Sequence, residues 1–219
     1  MSANSIDRSV CRWPTTRARH WTVDFLRRAQ DDANVVAVIA IGSAVREDVP
    51  SDDLDLLVLC REREMLCERA PIEVDLRAYD ADDVDQEVAN RRDLLTWAIL
   101  FGRPLLDRFQ TWEGIVRRWH TRVPLPDPDA ARSRAAATLT RLEEMREMGD
   151  EEAAAELDVS YQTHCARALL SEAGVYPASR PELSGQLISL GAVEQARRLT
   201  AALAARRRFS GGGGQEPRS

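Results

Sequence analysis

The sequence predicts an α/β (α+β) unit with a small mixed sheet, followed by an all-α helical bundle. Two apolar runs at residues 35–41 and 54–59 are rich in β-branched residues and leucine, which is typical of strands buried on both faces. Residues 71–79 alternate between apolar and polar side chains, as a strand with one polar face does. Beyond Pro124, Pro126 and Pro128, almost every segment has helical periodicity.

This pattern predicts two domains joined by a proline-rich linker. The first spans residues 1–122, with its core at 35–107, and the linker spans residues 123–129. The helical bundle spans residues 130–208, and a glycine-rich tail at 209–219 follows it.

The first domain begins with a polar segment, residues 1–14, that we expect to lie loosely on the surface. Ile72, Val74 and Leu76 should form the apolar side of the third strand. The other predicted elements are a helix at 15–30, a strand at 35–41, a turn and loop at 44–51, a strand at 54–59, one long helix at 82–101 stopped by Gly102, an edge strand at 103–107 and a helix at 111–120.

The second domain should contain four helices separated by glycines. They are predicted at residues 129–148, 151–173, 181–190 and 192–208.

Composition excludes several functional classes. The net charge of -6 disfavours a protein that is basic over its whole surface and binds nucleic acid. All 30 basic residues are Arg, which excludes a Walker-type phosphate loop and a Schiff-base lysine. The four cysteines and three histidines are dispersed without zinc-ligand spacing, so we expect free thiols and no structural zinc. No signal peptide or membrane-spanning run is evident, and we expect a cytoplasmic protein.

The chemistry-bearing stretch runs from residue 35 to residue 60. The first apolar run ends in Gly42 and Ser43, nine residues follow, and Asp53 and Asp55 then open the second run. Two residues apart on a strand, the acids share one face, where Mg²⁺ would relieve their repulsion. Glycine lets backbone N–H groups approach an anion. The spacing therefore predicts a metal–phosphate site that holds a nucleoside triphosphate.

A third carboxylate is expected, to hold a second metal ion or to act as the base that activates an attacking hydroxyl. Asp75 is the first candidate, and Glu73, on the same face of the next strand, is the second. Arg46 either steadies the triphosphate or is a solvated loop residue.

The pattern Gly42-Ser43, nine residues, Asp53-Leu54-Asp55 and a later Asp75 resembles polymerase-β-type nucleotidyltransferases. Within them it resembles the small bacterial branch of minimal and antibiotic-modifying enzymes. The resemblance implies that Ser43 in the Gly-Ser turn holds the triphosphate, and that Asp53, Asp55 and Asp75 bind Mg²⁺, with two ions and ATP as the expected co-substrate. It also implies transfer of NMP to an acceptor hydroxyl.

Residues 161–203 resemble the helical HEPN-type module that often accompanies these enzymes. The Arg-x4–6-His signature of its ribonucleases is absent before His164, so we expect a substrate-binding or interaction bundle. The acids of the bundle are solvated faces or line a pocket for a cationic acceptor; they are Glu143, Glu144, Glu151, Glu152, Glu156 and Asp158.

Three functions remain open from the sequence. The acceptor is a small molecule such as an aminoglycoside-type antibiotic. Alternatively, the chain is a toxin–antitoxin-type module acting on a protein or an RNA such as tRNA. It can also be a binding protein with a dead site.

Overall fold

The computed structural model describes residues 9–47, 53–66 and 68–210. The chain divides into two compact units, Met1–Pro124 and Leu125–Ser219. The first contains a sheet and helices, and the described part of the second is helical, so the α+β class with a mixed sheet and a helical region is confirmed.

The sheet of the first unit has four strands in the order β3-β2-β1-β4. Strand β1 pairs antiparallel with both β2 and β4, whereas β2 and β3 are parallel. The bounds are Val35–Ile41 for β1, Leu54–Cys60 for β2, Val74–Asp80 for β3 and Arg103–Asp107 for β4. The continuous apolar runs become the two central strands because only central strands are covered on both faces.

Helices cover both faces of this sheet. Residues of α1 pack with alternate side chains of β1 and β2 in one cluster, and residues of α2, α3 and α4 pack with the intervening side chains in another. The Thr15 hydroxyl caps α1 by accepting a hydrogen bond from the Ala18 amide at 3.0 Å. The helix bounds are α1 Thr16–Asp31, α2 Val84–Ala89, α3 Asp93–Phe101 and α4 Thr111–Trp119.

The prediction of one helix over residues 82–101 is wrong. The chain leaves α2 at Asn90, Arg91 takes a left-handed φ of 60°, and Arg92 is extended before α3 begins. On either side of the break, Val88 of α2 and Leu95 of α3 are both buried in the same cluster against the sheet.

Two smaller expectations also fail. Strand β3 begins at Val74, and Ile72 is 95% exposed instead of packed on the apolar side. The N-terminal segment is not loose throughout, because Val10 is buried, and the amides of Cys11 and Arg12 both donate to the Ala44 carbonyl. Residues 1–8 lie outside the described part of the chain.

The second unit contains four described helices, which form their own apolar core. Its most buried side chains come from α6, α7 and α8, including Leu170, Leu187 and Leu199. Asp150 begins α6 by accepting a hydrogen bond from the Ala153 amide, as an N-cap does. The bounds are α5 Pro128–Met148, α6 Glu151–Glu172, α7 Leu183–Ser189 and α8 Val193–Ser210.

Among the helices described, none combines the length and apolarity needed to cross a membrane.

Candidate functional site

Gly42 forms a tight turn where β1 ends. Its backbone angles, φ 77° and ψ -156°, lie in a region that only glycine readily adopts. A Cβ at this position would lie 2.4 Å from Oδ2 of Asp55. The glycine therefore allows both the turn and the close approach of the Asp55 carboxylate to the backbone.

In the sheet, Asp55 lies between the end of β1, where the Gly42 turn begins, and Asp75 of β3. On one side it pairs with Ile41, the residue before Gly42, and on the other it pairs in register with Asp75 of the parallel strand β3. Adjacent strands lie about 4.8 Å apart, so Asp55 and Asp75 emerge as neighbours on the same face. The two strands that carry these acids are therefore adjacent in the sheet.

Burial and the neighbouring acids raise the pKa of Asp55. Burial, followed by the negative charges of Asp53 and Asp75, raises the pKa of Asp55 from its usual 3.8 to about 6, while Arg77 acts in the opposite direction. A half-buried carboxylate beside two like charges is an unfavourable arrangement that a cation would relieve.

Asp75 has a cationic partner on its own strand. Arg77 donates from Nε at 3.0 Å and from an Nη at 2.7 Å, both to Oδ2 of Asp75. This pair raises the pKa of the Arg77 guanidinium. Arg77 was not among the predicted site residues, although its spacing of two from Asp75 places both side chains on one face of a strand.

The turn after Gly42 is held from outside the motif. Residues Ser43–Val45 form one 3-10 turn, closed by a hydrogen bond from the Arg46 amide to the Ser43 carbonyl. The Ala44 carbonyl accepts from the amides of Cys11 and Arg12 at 2.9 and 3.1 Å. No sequence pattern predicts this contact, because it joins distant segments through backbone atoms alone.

Arg46 reaches across to helix α3. Its guanidinium lies 5.1 Å from the centre of the Phe101 ring, a cation–π distance. Asp53 is exposed and lies immediately before β2. Residues 48–52, in the loop between Arg46 and Asp53, lie outside the described part of the chain.

Glu73, the second candidate for the third acid, lies immediately before β3 and two residues before Asp75. Its carbonyl accepts a hydrogen bond from the Leu54 amide at 2.8 Å. One carboxylate oxygen, Oε2, is buried without a hydrogen-bond partner in the described structure. Glu73 therefore stays available as an alternative acid at this end of the sheet.

The carboxylate oxygens of these acids suit Mg²⁺, a hard cation that prefers oxygen ligands. Gly42 lies so close to the Asp55 carboxylate that the turn has no room for a side chain. As they stand, however, no three described His, Cys, Asp or Glu side chains are grouped so that they could hold a metal ion. The third acid, Asp75, is instead engaged by Arg77. The three described cysteines, Cys11, Cys60 and Cys165, are free thiols, and Cys67 is not described.

A polar pocket adjoins this site along β3. Arg77 lines it together with residues near the opposite end of the strand, which include Tyr79, Asp80, Asp83, Glu87, Arg63 and Arg92. Two of its arginines already have carboxylate partners, Arg63 with Asp80 at 3.5 Å and Arg92 with Glu87 at 2.6 Å. Arg77 is thus shared between the acids at the start of β3 and this pocket.

In the second unit, the candidate acids are not gathered in the same way. Glu156 pairs with Arg206, and Asp158 lies 3.9 Å from Arg146 and accepts a hydrogen bond from Gln162. Glu143, Glu144, Glu151 and Glu152 are exposed. His164 lies half-buried on α6, with its Nδ1 atom enclosed.

Comparison with solved structures finds chains of similar fold. The fold is similar to a crystal structure of a nucleotidyltransferase-like protein from Exiguobacterium sibiricum 255-15, with 14% sequence identity and a TM-score of 0.38. The match covers 86% of this chain and 72% of that one. No protein family and no curated protein matches the sequence.

Proposed function

We propose that this chain is a Mg²⁺-dependent nucleotidyltransferase that moves NMP from an NTP, with ATP as the expected donor, to an acceptor hydroxyl. One observation carries the proposal: the Gly42 backbone approaches the half-buried Asp55 carboxylate so closely that a Cβ would lie 2.4 Å from its oxygen, and Asp75 faces Asp55 in register. Few structural needs explain acids gathered at a glycine turn, whereas a phosphate–metal site does.

Each residue has a proposed part in the reaction. Asp53, Asp55 and Asp75 would hold the metal, and Gly42 and Ser43 would contact the triphosphate through the turn. Arg46, placed beside Phe101, would add a positive charge toward the phosphates. Bound Mg²⁺ supplies the charge that offsets the triphosphate and the acids.

The proposed reaction is an in-line displacement at phosphorus. The acceptor oxygen forms a bond to the α-phosphorus as the bond from that phosphorus to the bridging oxygen breaks, and pyrophosphate leaves. The acceptor proton passes to a carboxylate oxygen of Asp75, or of Glu73 if that residue is the third acid. Positioning and charge stabilisation supply most of the rate enhancement in such transfers.

A small cationic molecule of the aminoglycoside type is the proposed acceptor. The net charge of -6 favours attraction of a cation over attraction of a nucleic acid. We further propose that the second unit is a HEPN-like bundle that binds the acceptor or another partner.

The test is transfer of label from each α-labelled NTP, with Mg²⁺, to aminoglycosides, lincosamides, tRNA or lysate. Labelled drug is expected, and label on protein or RNA would move the acceptor to the macromolecular class. Asp53→Asn and Asp55→Asn should lose at least about 100-fold in rate. Asp24→Asn, an exposed acid paired with Arg27 in the same unit, is the matched control and should keep full activity.

A binding protein with a dead site is the second candidate. It is favoured by the Arg77–Asp75 pair and by the lack of a three-ligand group among the described residues. Metal-dependent NTP binding without transfer to any acceptor would support it. Absence of both NTP binding and transfer, with Asp55→Asn behaving as wild type, would overturn both candidates.

A further inference from the structure

Arg77 is placed so that its side chain can serve two neighbouring sites. It lies two residues after Asp75 on β3, and both side chains are therefore on one face of the sheet. Arg77 also lines the pocket that continues toward Asp80. Strand β3 is an edge strand of the sheet, and the Arg77 side chain is 61% exposed.

The contact with Asp75 uses the carboxylate that the metal site would need. Both recorded guanidinium hydrogen bonds end on one oxygen, Oδ2, at 3.0 and 2.7 Å. Asp55, whose pKa is raised, is the in-register neighbour of Asp75, so Arg77 also lies near this second acid. A cation is thus already supplied to these acids by the chain itself.

We propose that Arg77 is a displaceable internal counter-ion of the acid cluster, holding Asp75 until a divalent cation displaces it. The inference rests on the proposed function, because it takes Asp55 and Asp75 to be metal ligands. Arg77 is a positioning residue in this scheme, since it acts through Asp75 and does not contact the reacting atoms.

Because the Arg77–Asp75 pair is exposed, separating its two side chains requires little free energy. Side chains that are 61% and 45% exposed form an ion pair in high dielectric, where attraction is weak. A divalent ion that is also bound by Asp55 and Asp53 gains more from the acids than one guanidinium does. Arg77 should therefore weaken metal binding by a small factor without preventing it.

The adjoining pocket offers the released side chain another partner. Asp83 lines the same pocket as Arg77 and has no ion pair among the described residues, in contrast to Asp80 and Glu87. A guanidinium that leaves Asp75 thus remains near a carboxylate and need not enter an apolar environment.

The experiment measures Mn²⁺ affinity without NTP, by electron paramagnetic resonance of the free ion. Arg77→Gln is expected to bind Mn²⁺ roughly two- to fivefold more tightly than wild type, the range that corresponds to a surface ion pair. Arg77→Lys, which keeps the charge but loses the two-pronged contact, should lie between them. Arg63→Gln and Arg92→Gln line the same pocket but pair elsewhere, and they should leave the affinity unchanged.

A double-mutant comparison separates the contact from general charge. In an Asp75→Asn background, Arg77→Gln should produce little further change, because the partner of the guanidinium is gone. An equal gain in that background, or no gain from Arg77→Gln in the wild type, would overturn the proposal. Tryptophan fluorescence confirms that each variant is folded, since all five tryptophans lie before residue 120.

The result is separable from the proposed function. If wild type transfers NMP but Arg77→Gln leaves the Mn²⁺ affinity unchanged, only the counter-ion role fails. If no variant binds Mn²⁺, the counter-ion role fails together with the metal dependence of the proposed reaction.

Discussion

The acid cluster at the end of the sheet in the first unit differs from the charged side chains of the second unit. In the first, Asp55 is half-buried beside two like charges, and its pKa rises to about 6. In the second, charges lie at the surface in opposite-sign pairs, such as Arg198 with Glu194 and Arg132 with Glu172. A half-buried carboxylate beside like charges destabilises the folded chain, and such arrangements are typical of functional sites. The contrast therefore directs attention to the acid end of the sheet.

The glycines of the two units show the same contrast. Gly42 and Gly149 have nearly equal φ angles, 77° and 75°. A Cβ on Gly42 would collide with the Asp55 carboxylate, whereas a Cβ on Gly149 would meet nothing within 4 Å. Gly149 ends α5 as a simple left-handed cap. Two glycines with nearly equal φ but different ψ, -156° at Gly42 and 16° at Gly149, thus form part of a site in one unit and only end a helix in the other.

The largest expected effect comes from Gly42→Ala. It should destabilise the first unit by about 3 kcal/mol and abolish NTP transfer, because ψ is also in the glycine-only region and the Asp55 carboxylate must move. Urea unfolding followed by tryptophan fluorescence measures this, since all five tryptophans lie in the first unit. Gly149→Ala should cost only about 1 kcal/mol, seen by circular dichroism, with transfer intact. Equal effects of the two substitutions would remove the contrast between the glycines.

The next largest effect is a gain in stability from Asp55→Asn. With a pKa near 6 in the folded chain and 3.8 in the unfolded chain, Asp55 binds its proton more readily when folded. Its contribution to the free energy of unfolding therefore falls as the pH rises from about 4 to about 6. Above pH 6, Asp55→Asn should be more stable than wild type by about 2 kcal/mol, and the advantage should vanish below pH 4.

Asp158→Asn in the second unit is the control for this prediction. Its carboxylate lies 3.9 Å from an exposed arginine, and the substitution should change stability by less than about 1 kcal/mol. Transfer lost in an Asp55→Asn protein that is more stable than wild type would be due to the chemistry of the site and not to unfolding. An Asp55→Asn protein that is less stable at pH 8 would show that the acid serves the fold.

The smallest effect is expected from Asp150→Ala in the second unit. It removes the hydrogen bond to the Ala153 amide at the start of α6 and should cost about 1 kcal/mol, visible in circular dichroism at 222 nm. The fluorescence transition and the transfer rate should stay as in wild type, because neither reports on this cap. A reduced transfer rate would show that the helical unit contributes to catalysis.

Local patterns were sufficient for most of the elements. The two apolar runs became the central strands, and Gly102 ended α3 as predicted, with its position close to Ile39 leaving no space for a Cβ. The break at Arg91 was missed because no proline or glycine marks it; it follows from the need of two segments to reach the same sheet face. The burial of Val10 was missed for a similar reason, since the cluster that it joins includes side chains as distant as Leu105.

The sequence by itself determined which residues carry the chemistry: a glycine that can turn tightly, and acids spaced by two on predicted strands. Only the tertiary structure decided that β3 lies parallel to β2 with Asp75 opposite Asp55, that Gly42 touches Asp55, and that Arg77 holds Asp75. Residue type and hydrophobic periodicity determine structure only among residues close in the sequence. Strand register and side-chain pairing depend on distant segments that the core brings together.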